Sequence, residues 1–260
     1  MAPAEPTGRI DAETRDGVCR LVMNRPDKKN ALTIAMYTAL TEAVEQAEKD
    51  PAVRVILFSG AGGNFTSGND LRDFLDHPPE HESSPVFRFM TAIARAEKPL
   101  LAAVSGLAVG IGTTMLLHCD LVYAGTNARF LLPFANLGLC PEAGSSLLLP
   151  LLAGHRRASE ILLFGEPFSA VKAKEIGLIN AILADSELEA YALDLARKLT
   201  AKPQASIRLT KAMLKKTNAG LIEGTIYEEA RLLIERLKSP EAVEAFTAFF
   251  ERRPPDFSRF

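Results

Sequence analysis

Pro99-Leu100-Leu101-Ala102-Ala103-Val104-Ser105-Gly106-Leu107-Ala108-Val109-Gly110-Ile111-Gly112-Thr113-Thr114-Met115-Leu116-Leu117 carries no charged side chain, and the fold turns on how this stretch is read. Its length is enough for a short membrane helix. Gly106, Gly110 and Gly112 interrupt it, however, and Val104-Ser105-Gly106 reads as the end of a strand. The better reading is a strand, a glycine-bearing loop and a helix, buried together in a globular core.

Outward from that stretch the pattern repeats. Leu100 to Val104 is the strand, Thr113 to His118 opens the helix, and Leu121 to Ala124 is a further strand. Upstream, Val18 to Met23 reads as a first strand after a loose tail that ends near Ile10. Tyr37, Leu40, Val44 and Ala47 then recur at helical spacing behind a candidate cap, Thr33. Val53 to Phe58 is a nearly continuous apolar run, as in a strand buried on both faces. A strand-helix-strand order implies a parallel sheet. Leu71 to Leu75 reads as a short helix and Val86 to Ala96 as a longer one. Between them Asp76 to Pro85 is polar and proline-rich, the composition of a mobile loop. After Gly154 the pattern reads as helical to the end, with Ser239-Pro240 as a start signal before the last apolar stripe. The expected class is α/β, with a core over residues 1–200 and a helical region over 201–260.

Composition excludes several functions. The 260 residues have a formal net charge of -2, and 47% are hydrophobic. The basic residues are scattered, and Lys211, Lys215 and Lys216 lie on one expected helix, so no nucleic-acid partner is expected. Cys19, Cys119 and Cys140 show no paired spacing, which fits a reducing compartment. They form no metal-ligand pattern with His77, His81, His118 or His155, so no metal is expected. The first residues carry acids and lack an apolar signal segment, and Ser258-Arg259-Phe260 is not a peroxisomal ending. A cytoplasmic protein with no membrane partner is the expectation.

Three segments are candidates for chemistry: Phe65-Thr66-Ser67-Gly68-Asn69-Asp70-Leu71, the loop from Gly106 to Thr114, and Pro141-Glu142-Ala143-Gly144. Each of the first two places glycine after a strand and before a helix. Such loops let a ligand approach the backbone, and a helix start offers free N–H groups. Two facing starts can hold an oxyanion, and losing one donor of that kind costs about 3–4 kcal/mol in tested enzymes. An ordinary glycine turn is the plain alternative for either loop. Glu142 is the only charged residue between Phe130 and Gly154. A carboxylate isolated among apolar groups is costly to ionise, which raises its pKa toward the range of a working acid or base. A helix cap is the plain alternative. His118 and Asp120 fall at a helix-to-strand join and read as structural.

Taken together, these segments resemble the crotonase, or enoyl-CoA hydratase/isomerase, superfamily. The resemblance extends from Asn24-Arg25-Pro26 and Asn30-Ala31-Leu32 to the ending Phe250-Glu251-Arg252-Arg253-Pro254-Pro255-Asp256-Phe257. It implies a repeated ββα core with a C-terminal helical region that supports trimers or dimers of trimers. It implies an acyl-CoA thioester as partner, with coenzyme A arriving as part of the substrate and no tightly bound cofactor. The backbone N–H groups of Asn69 and Ile111 become the oxyanion donors, although the family usually has glycine where Ile111 stands. Lys28, Lys29, Ala31, Ser67, Gly68 and Arg253 become the coenzyme A contacts, and Leu71, Leu132 and Phe134 the acyl pocket.

The departures from the family pattern matter most. Thr114 and Phe134 occupy the places of the two glutamates that hydratases use to add water. Glu142, after Pro141, is similar to the base of the Δ3-Δ2 enoyl-CoA isomerases. The resemblance therefore implies isomerisation of a 3-enoyl-CoA to a 2-enoyl-CoA by one carboxylate. A hydratase, isomerisation of a ring product in aromatic degradation, and a catalytically idle acyl-CoA-binding protein are the alternatives.

Overall fold

The computed structural model describes residues 8–260. β1 (Arg9–Arg15) folds back onto β2 (Val18–Asn24) in an antiparallel hairpin. Asp16 and Gly17 form its two-residue turn, both at positive φ, a backbone that matches strand twist and favours an Asp-Gly pair. This corrects the expectation of a loose tail as far as Ile10, since Arg9 is already in the strand; residues 1–7 lie outside the described residues. β1 is mostly exposed, so its polar sequence RIDAETR hid it.

α1 (Ile34–Lys49) starts on Thr33, whose side chain accepts from the Met36 N–H, and it buries Met36, Tyr37, Leu40, Val44 and Ala47. β3 (Val55–Gly60), α2 (Leu71–Asp76) and α3 (Pro85–Arg95) follow, then β4 (Leu100–Val104), β5 (Leu107–Val109) and α4 (Ile111–Thr114). A 3-10 turn over Met115–His118 finishes the helix that the sequence predicted to begin at Thr113. β6 (Leu121–Gly125), β7 (Arg129–Leu131), α5 (Ser145–Ala153) and α6 (His155–Phe164) come next. β8 (Phe168–Ser169), α7 (Ala170–Glu175) and β9 (Ala181–Leu183) lead to α8 (Leu188–Thr200), α9 (Gln204–Lys215), α10 (Ala219–Arg236) and α11 (Pro240–Glu251). The end of the chain is thus not wholly helical after Gly154. β8 and β9 have two and three residues, too few for an alternation to register.

Six strands form the large sheet in the order β1-β2-β3-β4-β6-β9, parallel except for the first pair. α8 covers one face with Leu188, Ala192 and Ala196, packed on Val55, Leu57 and Leu101. Met36, Leu40, Phe89 and Ile93 cover the other face, packed with Ile56 and Phe58. Burial on both faces explains the unbroken apolar runs of β3 and β4. A second sheet, β5-β7-β8, lies beside it. From β3, β4 and β6 the chain passes to the small sheet and then to a helix. β4-β5-α4 does so fully, while after β3 a single bridge from Thr66 to Ala108 precedes α2. This is the repeated ββα pattern, and it leaves two helix starts at one edge of the small sheet. Ile222, Ile226, Ala230 and Leu233 of α10 join the main buried cluster. Among the described residues no helix is long and apolar enough to cross a membrane; the charge-free stretch divides into β4, β5 and α4.

Candidate active site

The first wall is the loop between β3 and α2. The Asn30 side chain holds it, donating to the carbonyls of Ala61 and Asn64 at 2.8 and 2.7 Å, while the Thr66 hydroxyl donates back to the Asn30 carbonyl at 2.7 Å. Gly68 has φ +85°, and a Cβ there would sit 2.8 Å from the Val109 carbonyl oxygen. Only glycine meets both demands without strain. The Leu32 N–H donates to Gly68 O and the Asp70 N–H to Leu32 O. This parallel bridge uses the groups on either side of Asn69 and leaves the Asn69 N–H without a partner among the described residues. The Asn69 side chain is fixed from behind by the Tyr37 hydroxyl, which donates to its Oδ1.

The second wall begins at Gly110, at φ 55° and ψ -118°. The unusual backbone angle falls on this glycine. Ile111 is the first helical residue of α4 and is not among the residues with positive φ, so a branched side chain fits. Its N–H is one of the orphan donors of a helix start and has no partner among the described residues.

The third wall is the turn before α5. Ala143 and Gly144 are both left-handed, at φ 59° and 72°. The His118 ring donates through Nε2 to the Ala143 carbonyl at 2.7 Å. Burial pulls its pKa down to about 4, so it is a neutral donor. The Glu229 carboxylate accepts from the N–H groups of Gly144 at 2.6 Å and Ser146 at 2.9 Å. Glu142 itself is 3% exposed, and its carboxylate makes no hydrogen bond among the described residues. It does not cap α5, which settles the alternative open from sequence. Burial, and then the charge of Glu229, push its pKa up to about 8.

These walls enclose a cleft of about 920 Å³. Asn69, Ile111 and Glu142 all line it. Lys28, Lys29, Ala31, Ser67 and Gly68 line it as well, with both lysines exposed. Leu71 and Phe134 belong to its apolar lining, together with Leu139, Phe246 and Phe250. Two expected residues are not brought here. Leu132 is fully buried in the core, and its neighbours Leu131 and Pro133 face the cleft instead, because successive side chains along extended chain alternate in direction. Arg253 is bound by Glu244 through both terminal nitrogens, at 2.5 and 3.1 Å, and by Glu251 at 2.6 Å, and it does not line this cleft. Thr114 is wholly buried and also outside the lining.

Of the other carboxylates in the cleft, Asp70 is paired with Arg25 at 2.6 Å and Asp73 accepts from the Ile34 N–H at 2.6 Å, while Asp76 is exposed. Glu142 is therefore the one buried and unbonded carboxylate among the described residues of the lining. The site can hold an anionic oxygen on two free N–H groups and move a proton with a single acid-base group. Tyr37 and Glu229 escaped the sequence reading. Tyr37 was visible only as an apolar helix position, and Glu229 is one of several acids on an amphipathic helix, with no local signal to single it out.

Known proteins resemble this chain in sequence and in fold. Residues 13–259 match a family model described as enoyl-CoA hydratase/isomerase. The chain is 34% identical to enoyl-CoA delta isomerase 2 of Rattus norvegicus, over 96% of this chain and 66% of that protein, so it spans just under two thirds of that relative. It is 32% identical to 1,2-epoxyphenylacetyl-CoA isomerase of Escherichia coli K12, over 96% and 98% of the two chains. Identity to 2,3-dehydroadipyl-CoA hydratase of the same organism is also 32%, over 92% and 94%. A solved structure of Pseudomonas aeruginosa OdaA superposes with a TM-score of 0.91 at 48% identity, covering 94% of this chain and 99% of that one.

Proposed function

The chain belongs to the enoyl-CoA hydratase/isomerase family, and on that premise we propose that it isomerises a 3-enoyl-CoA to a 2-enoyl-CoA with Glu142 as its only acid-base group. The substrate class, an acyl-CoA thioester, follows from the family. The choice of reaction is the proposal. What carries it is the buried, unbonded Glu142 carboxylate facing the same cleft as two unpartnered N–H groups.

In this mechanism the thioester oxygen sits between the N–H groups of Asn69 and Ile111. Holding charge there acidifies the C2 proton. The Glu142 carboxylate takes that proton, leaving a dienolate across C2 to C4 with its negative charge on the thioester oxygen. The protonated Glu142 then delivers the proton to C4, and the double bond comes to rest between C2 and C3. One carboxylate suffices because it alternates between base and acid. Lys28 and Lys29, exposed at the mouth of the cleft, are suited to the phosphates of coenzyme A. Phe134, 5% exposed and part of the lining, presents carbon where addition of water would need a carboxylate. Exposed Leu209, Met213 and Leu214 on α9 offer an apolar face for the self-association that goes with this reading.

The test is a paired assay of 3-enoyl-CoA isomerisation and 2-enoyl-CoA hydration, with wild type and Glu142→Gln. The expected result is isomerisation abolished by the substitution and negligible hydration in both proteins. Strong hydration that survives in the variant would overturn the proposal. The pH profile gives a further expectation. Glu142 must be ionised to accept the first proton, so kcat/KM should rise with pH to a plateau, with its midpoint near the carboxyl pKa of about 8.

A further inference from the structure

Glu229 lies on α10, far along the chain from the cleft-lining turn, yet its carboxylate is the hydrogen-bond acceptor at the start of α5. It is 5% exposed and takes the N–H of Gly144 at 2.6 Å and of Ser146 at 2.9 Å. The helix start has no side-chain cap of its own, so this remote carboxylate fills that role. Gly144 follows Ala143, whose carbonyl is held by His118. Two buried side chains from separate elements thus clamp the left-handed pair that directly follows Glu142.

We propose that Glu229 is a positioning residue for the acid-base group: it fixes the turn that aims Glu142 into the cleft and brings a second buried carboxylate to that turn. The proposal rests on the reading of Glu142 as the base. The groups that face Glu142 leave Glu229 as the charged one. Tyr37 approaches from α1, and burial followed by the Glu142 charge raises its phenol well above the ordinary value, so it stays neutral. His118, from the turn after α4, is neutral above about pH 4. Cys140, in the same loop, is pushed up to about 11 by burial and by Glu229, and stays a thiol. Arg236 of α10 is turned to the Gly138 carbonyl and to Glu241. Glu228 is exposed on α10, and its charge raises Glu229 and not Glu142.

The two carboxyls do not share their burden equally. Burial raises both. Glu229 has two backbone N–H donors that favour its charged form, and Glu142 has none. Glu229 therefore ionises first, and Glu142 titrates against a charge already in place.

The experiment is a carbon-13 NMR titration of glutamate-labelled protein, with the Glu142 carboxyl assigned by its absence in Glu142→Gln. In Glu229→Gln the Glu142 midpoint should fall by about one unit or more. The acid limb of kcat/KM should move down with it. The kcat plateau should fall about 10-fold to 100-fold from the loosened turn, with KM changed less than about twofold. Glu229→Asp keeps the charge but shortens the reach, so it should hold the midpoint near wild type while losing plateau rate. It also serves as the test should the glutamine variant fail to fold. An unchanged Glu142 midpoint and plateau in folded Glu229→Gln would overturn the proposal, as would a midpoint in Glu229→Asp that falls as far as a neutral replacement makes it fall. Failure of the isomerase reading would show elsewhere, as turnover that survives Glu142→Gln, while the titration still reports the coupling.

Discussion

The loop around Gly68 and the turn around Ala143 both place left-handed residues beside the cleft, Gly68 at φ +85° and Ala143 at φ 59°. They are secured differently. The Gly68 loop is tied to the segment that pairs with it, through Asn30, Thr66 and the Leu32 bridge. The Ala143 turn is held by two side chains from other elements, His118 and Glu229. The first arrangement frees an N–H and the second isolates a carboxylate. A donor array needs only a rigid backbone. On the proposed reading an acid-base group also needs its proton affinity set; burial raises that of Glu142 first, and Glu229, which clamps the turn, adds its charge.

Removing the carboxylate should have the largest effect. Glu142→Gln is expected to lower kcat by about 10²-fold to 10⁴-fold, measured with a 3-enoyl-CoA. The same substitution should stabilise the fold. Glu142 has its folded pKa raised from 4.5 to about 8, so the folded state resists ionising it. The cost is absent below the unfolded value, grows between the two values and is complete above the folded one. Thermal unfolding should show a gain for the variant of up to about 5 kcal/mol at pH 9 and little at pH 4. A variant that gains equally at both would show that packing, not charge, explains its stability.

Disturbing the backbone loop comes next. Gly68→Ala places a methyl 2.8 Å from the Val109 carbonyl at a φ that favours glycine. The expected loss is about 1–3 kcal/mol of stability, with kcat reduced because the Asn69 N–H moves. Binding of a saturated acyl-CoA, measured by calorimetry, should weaken less than turnover, since an oxyanion donor acts mainly on the charged intermediate. Equal losses in both would mean that the loop only binds.

Tyr37→Phe is a smaller disturbance of the same wall. It leaves the Asn69 Oδ1 without its buried donor, at a cost of about 1–3 kcal/mol. The Asn69 backbone remains held by the Leu32 bridge. Stability should therefore fall more clearly than kcat, and a large kcat loss without destabilisation would give Tyr37 a direct part in the reaction.

The same contrast explains what the sequence disclosed. The two glycine loops were legible because each sets glycine between a strand and a helix start, while Asn69 and Ile111 as donors came from the family resemblance. The Asn30-Ala31-Leu32 segment that supports the Gly68 loop was singled out by the same resemblance. Glu142 stood out as a lone charge in an apolar stretch. Glu229 did not, because nothing near it in sequence says that α10 packs its buried face onto the start of α5. Leu132 was misplaced by one residue for a related reason. Alternation along extended chain decides which neighbour faces the cleft, and the phase of so short a strand as β7 is set by its partners. β1 was missed because an edge strand with an exposed polar face has little apolar signal.

The smallest effect belongs to the lysines at the mouth. Lys28 ends a 3-10 turn and Lys29 is its left-handed cap, at φ 51°. Both are exposed, so any contact with phosphate is made in water and is weakened by salt. Lys28→Ala and Lys29→Ala should each raise KM by about twofold to fivefold at low ionic strength, consistent with about 0.3–1 kcal/mol for an exposed pair. kcat should not change, because the lysines bind substrate and intermediate alike. The KM difference from wild type should shrink in high salt. A drop in kcat instead would mean that the mouth shapes the oxyanion wall through Ser67, whose N–H donates to the Lys29 carbonyl and whose hydroxyl donates to that of Lys28. The donor loop would then be as dependent on outlying residues as the carboxylate turn is.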